Sequence, residues 1–182
     1  MILVVAATAR ELEQIEAETL VCGIGPVEAG VATARRLAER RPDALLHVGV
    51  AGARDIPPPG LVIGSEAVYV DLDEGLTQRL GIPRRVEADP GLLAAARAAL
   101  PEAVVRPIGP SASVGGVTWF DVEAMEGFSV LRAAQLAGVP ALELRTISND
   151  PDEPDRAKWQ IPEAIVALRA ATQRLLAALA ST

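Results

Sequence analysis

The sequence predicts a three-layer α/β/α protein with a central mixed, largely parallel twisted sheet. Short apolar runs alternate along the chain with longer segments whose apolar residues recur at helical spacing. Glycine and proline mark most of the boundaries between these segments. Strands that alternate with helices favour a parallel sheet with helices packed on it. Since the 182 residues contain no internal repeat and no long linker, we expect a single domain over residues 1–182.

The individual elements follow from the same patterns, in chain order. Residues 2–7 are a continuous apolar run, which is typical of a central strand buried on both faces. Three consecutive prolines make residues 54–60 a stiff loop, residues 71–89 give no firm prediction, and residues 109–116 form a loop of small residues. The predicted strands are 2–7, 19–23, 44–50, 61–70, 104–108 and 141–147, and the predicted helices are 27–40, 90–100, 123–137 and 162–180.

Residues 121–150 form the central stretch, around which we expect the rest of the chain to be organised. The helix predicted there ends at Gly138 and Pro140, and a strand follows it directly. A helix start and a strand end that are joined in this way lie at one rim of an α/β sheet. Ligands of such sheets bind beyond the carboxyl ends of the strands. We therefore expect Glu126 and Asn149 to lie near one another at a ligand site.

Composition and charge exclude several classes of protein. A net charge of −7 argues against a nucleic-acid partner, because phosphate contacts need clustered lysine and arginine. No apolar run approaches the roughly 20 residues that a membrane span needs, and the N-terminus has no basic region typical of a signal peptide. The single cysteine, Cys22, excludes an internal disulfide and fits a reducing cytoplasm.

The sequence predicts no metal and no cofactor. With one histidine, His47, and one cysteine, it offers neither a zinc cluster nor a serine–histidine–aspartate triad. His47 has apolar neighbours in a strand and is predicted to be a core residue. The glycine turn at residues 23–30 lacks the dinucleotide-binding fingerprint because Glu28 occupies a position that requires glycine or alanine.

Carboxylates are therefore the candidates for acid–base chemistry. Glu11 follows the first strand, and Glu126 opens the central helix. Taken singly, each could be a solvated or capping residue, since acidic groups are favoured in the first turn of a helix. Gly52 ends the glycine-rich segment 49–52, where the backbone can approach a ligand closely.

Two motifs in the central stretch resemble the nucleoside phosphorylase/nucleosidase superfamily. They are residues 121–127 (DVEAMEG) and residues 144–149 (LRTISN). The resemblance implies a nucleoside phosphorylase-like fold, a small-molecule nucleoside substrate and a homodimer or larger homo-oligomer whose neighbour closes each site. It also implies roles for individual residues: Met125 and Glu126 hold the ribose, Glu11 activates water, Ser148 and Asn149 or Asp150 meet the purine, Gly52 belongs to a glycine turn, and Trp119 or Phe120 stacks on the base.

Within that superfamily, residues 123–127 (EAMEG) and the tail 155–162 (DRAKWQIP) look most like the futalosine hydrolase family. That family removes hypoxanthine from futalosine on an alternative route to menaquinone. The chain departs from the family in a shortened segment between residues 116 and 121, and the loop 110–116 lacks a clear family pattern.

The residue that meets the purine separates the competing functions. An amide NH₂ can donate to both O6 and N7 of a 6-oxopurine, whereas an acid suits the 6-aminopurine of a methylthioadenosine/adenosylhomocysteine nucleosidase. Asn149 favours the oxopurine, although a shift of one residue would bring Asp150 to the base. A purine nucleoside phosphorylase is disfavoured because His47 stands where phosphorylases tend to carry arginine. A non-catalytic nucleoside-binding module is disfavoured by the presence of both Glu11 and Glu126.

Overall fold

The computed structural model describes residues 1–114 and 118–180. Strands and helices alternate along this part of the chain, and one turn of 3₁₀ helix, Arg156–Lys158, precedes the last helix. The strands are β1 (Ile2–Ala6), β2 (Glu18–Val21), β3 (Ala44–Ala53), β4 (Leu61–Val68), β5 (Arg85–Glu87), β6 (Val104–Pro110), β7 (Val122–Ala124) and β8 (Ala141–Asn149). The helices are α1 (Ala9–Leu12), α2 (Pro26–Glu39), α3 (Glu74–Leu80), α4 (Pro90–Ala99), α5 (Gly127–Leu136) and α6 (Ile161–Ala180).

These strands form one mixed, largely parallel sheet, as the sequence predicts. β2, β1, β3 and β8 lie side by side and run parallel. β8 pairs antiparallel with β4, which pairs parallel with β6 and antiparallel with the edge strand β5. The short strand β7 bridges β6 and β3, so that β3, β8, β4, β6 and β7 close into a ring. The sequence did not predict this closure.

Helices cover both faces of the sheet because the central strands are apolar on both faces. Leu46 of β3 packs in a buried cluster with residues of α4 and α6, whereas its neighbour Leu45 packs on the opposite face with residues of α2 and α5. Since successive side chains of a strand point to opposite faces, this alternation produces the three layers. The predicted α/β/α arrangement is confirmed.

The prediction of a helix from residue 123 is wrong at its start. Val122–Ala124 forms β7, and α5 begins at Gly127 with Glu126 as its N-cap. The strand forms because Glu123 pairs with Gly52 of β3, and its carboxylate accepts a hydrogen bond from Arg54 Nη2 at 2.9 Å. Such long-range pairing outweighs the local helical spacing of the apolar residues.

Other boundaries also differ from the predictions. β3 extends to Ala53 and β8 to Asn149, past the predicted ends at residues 50 and 147. The unassigned segment 71–89 contains α3 and β5. The predicted loop 109–116 begins inside β6, and its residues 115–116 lie outside the described part of the chain. Within the described part, no helix is both long and apolar enough to cross a membrane.

We expect Leu46→Ala to lower the free energy of unfolding by about 2–5 kcal/mol, because it leaves a cavity between β3 and the helices that cover it. Leu136→Ala is the matched control: Leu136 is 72% exposed at the end of α5, and its loss should change stability by less than about 0.5 kcal/mol. Urea denaturation of both variants provides the measurement. Equal losses would contradict this account of the core.

Candidate active site

A cavity of about 150 Å³ opens at the carboxyl ends of β3 and β8, beside β7. Open α/β sheets bind ligands at this edge, and the small side chains at the end of β3 leave room for one. Among the described residues, the cavity is lined by Val50, Ala51, Gly52, Ser113, Val114, Glu123, Ala124, Met125, Ser148, Asn149, Pro151, Trp159 and Ile161. Four of the predicted site residues, Gly52, Met125, Ser148 and Asn149, therefore lie together.

Glu11 lies behind the wall of this cavity. Its side chain is buried in α1, where Oε2 accepts hydrogen bonds from the Thr8 backbone N at 3.0 Å and the Thr8 hydroxyl at 2.8 Å. Its other oxygen, Oε1, accepts from the backbone N of Val50 at 3.1 Å, and Val50 lines the cavity. The local helix start fixes the carboxylate, and the end of β3 holds it against the site.

Glu126 occupies the N-cap of α5 and is also buried. Its Oε1 accepts a hydrogen bond from the backbone N of Gly25 at 2.9 Å. Gly25 has a φ of 90°, which glycine adopts without strain, and this conformation aims its N–H at the carboxylate. The glycine turn that superficially resembles a dinucleotide loop thus provides a donor for Glu126.

Arg145 lies near the carboxylates of both Glu11 and Glu126, and sequence reasoning gave it no role. It is buried in β8, with Nε donating to Glu143 Oε1 at 2.8 Å and Nη2 lying 3.9 Å from Glu126 Oε2. Burial alone would lower the pKa of Arg145, but the charges of Glu143, Glu126 and Glu11 raise it, so the guanidinium stays cationic. An arginine inside an apolar strand was the signal that could have identified it.

The Arg145 guanidinium and the Glu11 carboxylate both lie close to the main chain at Gly49. A Cβ added there would overlap Arg145 Nη1 and lie 2.9 Å from Glu11 Oε1. Glu11, Glu126 and Arg145 therefore form one buried charged cluster next to the cavity.

His47 is a core residue, as predicted. It is fully buried, and Arg145 Nη2 lies 3.2 Å from its ring nitrogens. Burial, with a smaller contribution from the Arg145 charge, lowers the pKa of His47 well below its ordinary value, so the ring is neutral.

Asn149 and Asp150 lie in different surroundings. Asn149 lines the cavity, with Oδ1 accepting from the Ser148 hydroxyl at 2.7 Å and Nδ2 donating to the Asp150 carbonyl at 3.0 Å. The exposed Asp150 side chain instead closes a turn, since its Oδ1 accepts from the backbone N of Asp152 at 2.9 Å. Gly52 gives the amide its space, because a Cβ there would lie 3.2 Å from Asn149 Nδ2.

The aromatic residue at the cavity is Trp159, which sequence reasoning did not single out. Trp119 is 67% exposed and stacks on Phe120 at 4.4 Å, while Phe120 is buried against Gly109. Neither is among the described residues that line the cavity. Trp159 is held there by a hydrogen bond from Nε1 to the Glu153 carbonyl at 3.2 Å. The sequence feature that could have identified Trp159 is its position as a tryptophan within an otherwise polar loop.

Within residues 1–114 and 118–180, no three histidine, cysteine, aspartate or glutamate side chains are grouped so that they could hold a metal ion. Glu11 and Glu126 each accept from a backbone N–H donor, and Glu126 also lies near Arg145. Glu123, which lines the cavity, accepts from the Arg54 guanidinium and the Thr118 hydroxyl. These contacts orient the carboxylates, and Asn149 adds one amide at the cavity.

Comparison with known proteins defines the class to which this fold and site belong. A model of the Phosphorylase superfamily matches residues 11–181. The MTA/SAH nucleosidase of Streptococcus pneumoniae, solved with 8-aminoadenine, shares the fold with a TM-score of 0.84 over 97% of this chain and 99% of that one, at 22% identity. The nucleoside phosphorylase-like fold is confirmed, and the chain is a member of the phosphorylase superfamily.

Two relatives narrow the assignment. The futalosine hydrolase of Streptomyces coelicolor is 32% identical over 90% of this chain and 80% of its own length. The futalosine hydrolase of Thermus thermophilus is 34% identical over 87% of this chain and 80% of its own length. Within the superfamily, the chain belongs to the futalosine hydrolase family, and the resemblance drawn from residues 123–127 and 155–162 is confirmed.

We expect Gly49→Ala to disrupt the charged cluster, because the added methyl group would displace either Arg145 or Glu11. A displaced buried charge should lower both thermal stability and turnover, the latter by about 10²-fold. Gly75→Ala in α3 is the control, since the nearest atom to its Cβ is 3.5 Å away. Should Gly49→Ala retain wild-type turnover, the cluster would have no part in catalysis.

Proposed function

We propose that this protein hydrolyses the N-glycosidic bond of a purine nucleoside, and that its substrate is futalosine, which yields hypoxanthine and dehypoxanthine futalosine for menaquinone biosynthesis. One observation carries the proposal: two buried carboxylates, Glu11 and Glu126, approach a single arginine beside a cavity that contains Asn149. The futalosine hydrolases of Streptomyces coelicolor and Thermus thermophilus support the choice of substrate.

Glu126 holds the ribose. Cleavage of a glycosidic bond passes through an oxocarbenium-like sugar, which a nearby negative charge stabilises. The bond from Gly25 N occupies only part of the acceptor capacity of Oε1, so the carboxylate can still accept hydrogen bonds from the two ribose hydroxyls. Met125, which lines the cavity one residue earlier, offers the sugar an apolar, polarisable surface.

Glu11 activates the attacking water as a general base. Its three hydrogen bonds, from Thr8 and from Val50, fix the direction of the carboxylate before the substrate arrives. Each carboxylate oxygen still has lone pairs for a water molecule on the cavity side. Arg145 offsets the repulsion between Glu11 and Glu126, which lets both act in the same small volume.

Asn149 recognises the base. The Ser148 hydroxyl donates to the amide oxygen, and the Asp150 carbonyl accepts one amide N–H, which leaves the second N–H to donate to the base. A 6-oxopurine presents two acceptors, O6 and N7, to such a donor. The Asp150 carboxylate is engaged in its turn outside the cavity, which supports Asn149 as the purine contact.

Trp159, Trp119 and Phe120 are the aromatic candidates for stacking on the base, and Trp159 is favoured because it lines the cavity.

Water is a better nucleophile for this site than phosphate. Phosphate needs convergent, unneutralised cations. Arg145, the cation of the cluster, is surrounded by the carboxylates of Glu143, Glu126 and Glu11, whose charges repel an anion. This favours hydrolysis over phosphorolysis.

We also propose that the chain acts as a single nucleosidase domain in a cytoplasmic homodimer or larger homo-oligomer. Ile24, Val27 and Val31 expose apolar side chains beside Gly25, whose N–H binds Glu126. An exposed apolar patch next to a site is suited to burial by a neighbouring copy. Sedimentation equilibrium tests the assembly, and a monomer at micromolar concentration would contradict it.

The decisive experiment is to incubate the protein with futalosine, inosine and methylthioadenosine, with and without phosphate and with and without a chelator. We expect hypoxanthine from futalosine in every condition, with free sugar rather than a sugar phosphate as the second product. Preferred cleavage of methylthioadenosine would instead assign an MTA/SAH nucleosidase, a function that the fold also accommodates.

We expect Glu126→Gln to lower turnover by about 10²–10³-fold while the protein stays folded. The substitution is nearly isosteric, but it removes the charge that stabilises the cationic sugar. Glu163→Gln, at an exposed position in the first turn of α6, is the control and should leave turnover unchanged. Wild-type turnover of the Glu126 variant would remove Glu126 from the mechanism.

We expect Asn149→Asp to slow cleavage of the oxopurine nucleoside by about one to two decades, since a carboxylate facing O6 and N7 leaves them unpaired at a cost of roughly 1–3 kcal/mol. Asp150→Asn should be nearly silent, because the Asp150 side chain only closes a turn. Both variants are assayed on a 6-oxopurine nucleoside, inosine, and on a 6-aminopurine nucleoside, adenosine. A severe effect at Asp150 and a silent Asn149 would assign the purine contact to Asp150.

A further inference from the structure

We propose that Glu143 is a positioning residue for the reaction: its carboxylate, seated against Gly127, fixes the guanidinium of Arg145 between Glu11 and Glu126. The inference rests on the proposed function, since it concerns how the two carboxylates of that site are held. Neither the sequence motifs nor the mechanism above assigns Glu143 a role.

The first support is the geometry of β8. Glu143 and Arg145 are two residues apart on one strand, so their side chains point to the same face. Arg145 Nε donates to Glu143 Oε1 at 2.8 Å, and both side chains are buried. With Nε held, Nη1 lies 3.4 Å from the carbonyl oxygen of Val50 and Nη2 faces Glu126. Because the guanidinium is planar, the contact at Nε sets the directions of both terminal nitrogens.

The second support is the space that Gly127 leaves for this carboxylate. A Cβ added to Gly127 would lie 2.5 Å from Glu143 Oε1 and 2.7 Å from its Cδ. Gly127 is the first residue of α5 and lies outside the residues with positive φ, so its backbone conformation does not require glycine. Alanine would favour the helix more strongly. The glycine is therefore explained by the carboxylate that it admits, directly after Glu126 in sequence.

The third support is the cost of keeping a carboxylate at this position. Glu143 is completely buried, and its Oε2 has no hydrogen-bond partner among the described residues. Burial raises the pKa of Glu143 even though Arg145 opposes the shift. Well-packed apolar residues at both 143 and 145 would avoid this cost, since replacing a whole buried ion pair in that way is often stabilising. Because the buried Glu143 carboxylate does not favour folding, its presence indicates a functional role.

A double-mutant cycle separates positioning from simple space filling. The variants are Glu143→Val, Gly127→Ala and the pair, in which the alanine methyl occupies the volume that the carboxylate vacates. Melting temperature, kcat and KM are measured on the nucleoside that the wild type cleaves, futalosine or methylthioadenosine. We expect Glu143→Val to lower kcat by about 10²-fold with KM little changed, because a displaced catalytic group costs rate rather than ground-state binding.

Gly127→Ala should lower both kcat and melting temperature, and the double variant should regain melting temperature but not kcat. Glu143→Gln keeps an oxygen acceptor for Arg145 Nε. Its kcat should therefore be about 10-fold higher than that of Glu143→Val. A wild-type kcat in Glu143→Val, or recovery of both quantities in the double variant, would overturn the proposal and leave Glu143 a packing residue.

A crystal structure of Glu143→Gln and, where it folds, of Glu143→Val tests the inference without any substrate. We expect the guanidinium to turn toward Glu126 in the valine variant and to keep its place in the glutamine variant. A guanidinium that stays as in the wild type when Glu143 is valine would overturn the positioning role. Failure of the proposed function has a different signature, which is a wild type that releases no hypoxanthine from futalosine.

Discussion

The site depends on one buried guanidinium. Without Arg145, the carboxylates of Glu11, Glu126 and Glu143 would share a small volume of low polarity, where like charges repel strongly. With it, Glu11 and Glu126 can remain charged neighbours beside the cavity. Breaking a buried ion pair typically costs more than the pair itself contributes, because a desolvated charge is left behind. Each carboxylate of the cluster therefore depends on the same arginine.

Three glycines make this concentration of charge possible, each for a different reason. Gly25 has the positive φ that turns its N–H toward Glu126. Gly49 lets Arg145 and Glu11 approach the backbone of β3, and Gly127 leaves room for Glu143 at the start of α5. At these three positions, glycine is explained by charged side chains that come close to the main chain.

Sequence reasoning found the fold class and placed Glu126 and Asn149 at one rim of the sheet, because they begin and end elements with clear local patterns. The roles of Glu11, Met125 and Ser148 came from the resemblance to the superfamily. Sequence reasoning missed β7 because apolar spacing reports local conformation, whereas β7 exists through pairing of Glu123 with Gly52 of β3, which is distant in sequence. It missed the part played by Arg145 and Glu143 for a related reason. Their spacing places them on one face of a strand, but only the packed structure reveals that this face meets Glu126 and the turn at Gly49.

The closed ring of strands explains how the amide of Asn149 is held at the cavity. β7 holds Glu123 opposite Gly52, and β8 carries Ser148 and Asn149 alongside the same end of β3. Asn149 is then fixed at both ends, its oxygen by the Ser148 hydroxyl and its nitrogen by the main chain of Asp150. With its oxygen engaged and one N–H donated to that main chain, the amide keeps one N–H to donate, which suits a base edge that carries acceptors. In the proposed role of Asn149, base preference therefore depends on two side chains and one carbonyl beside the end of β8, which can change without any change in the fold.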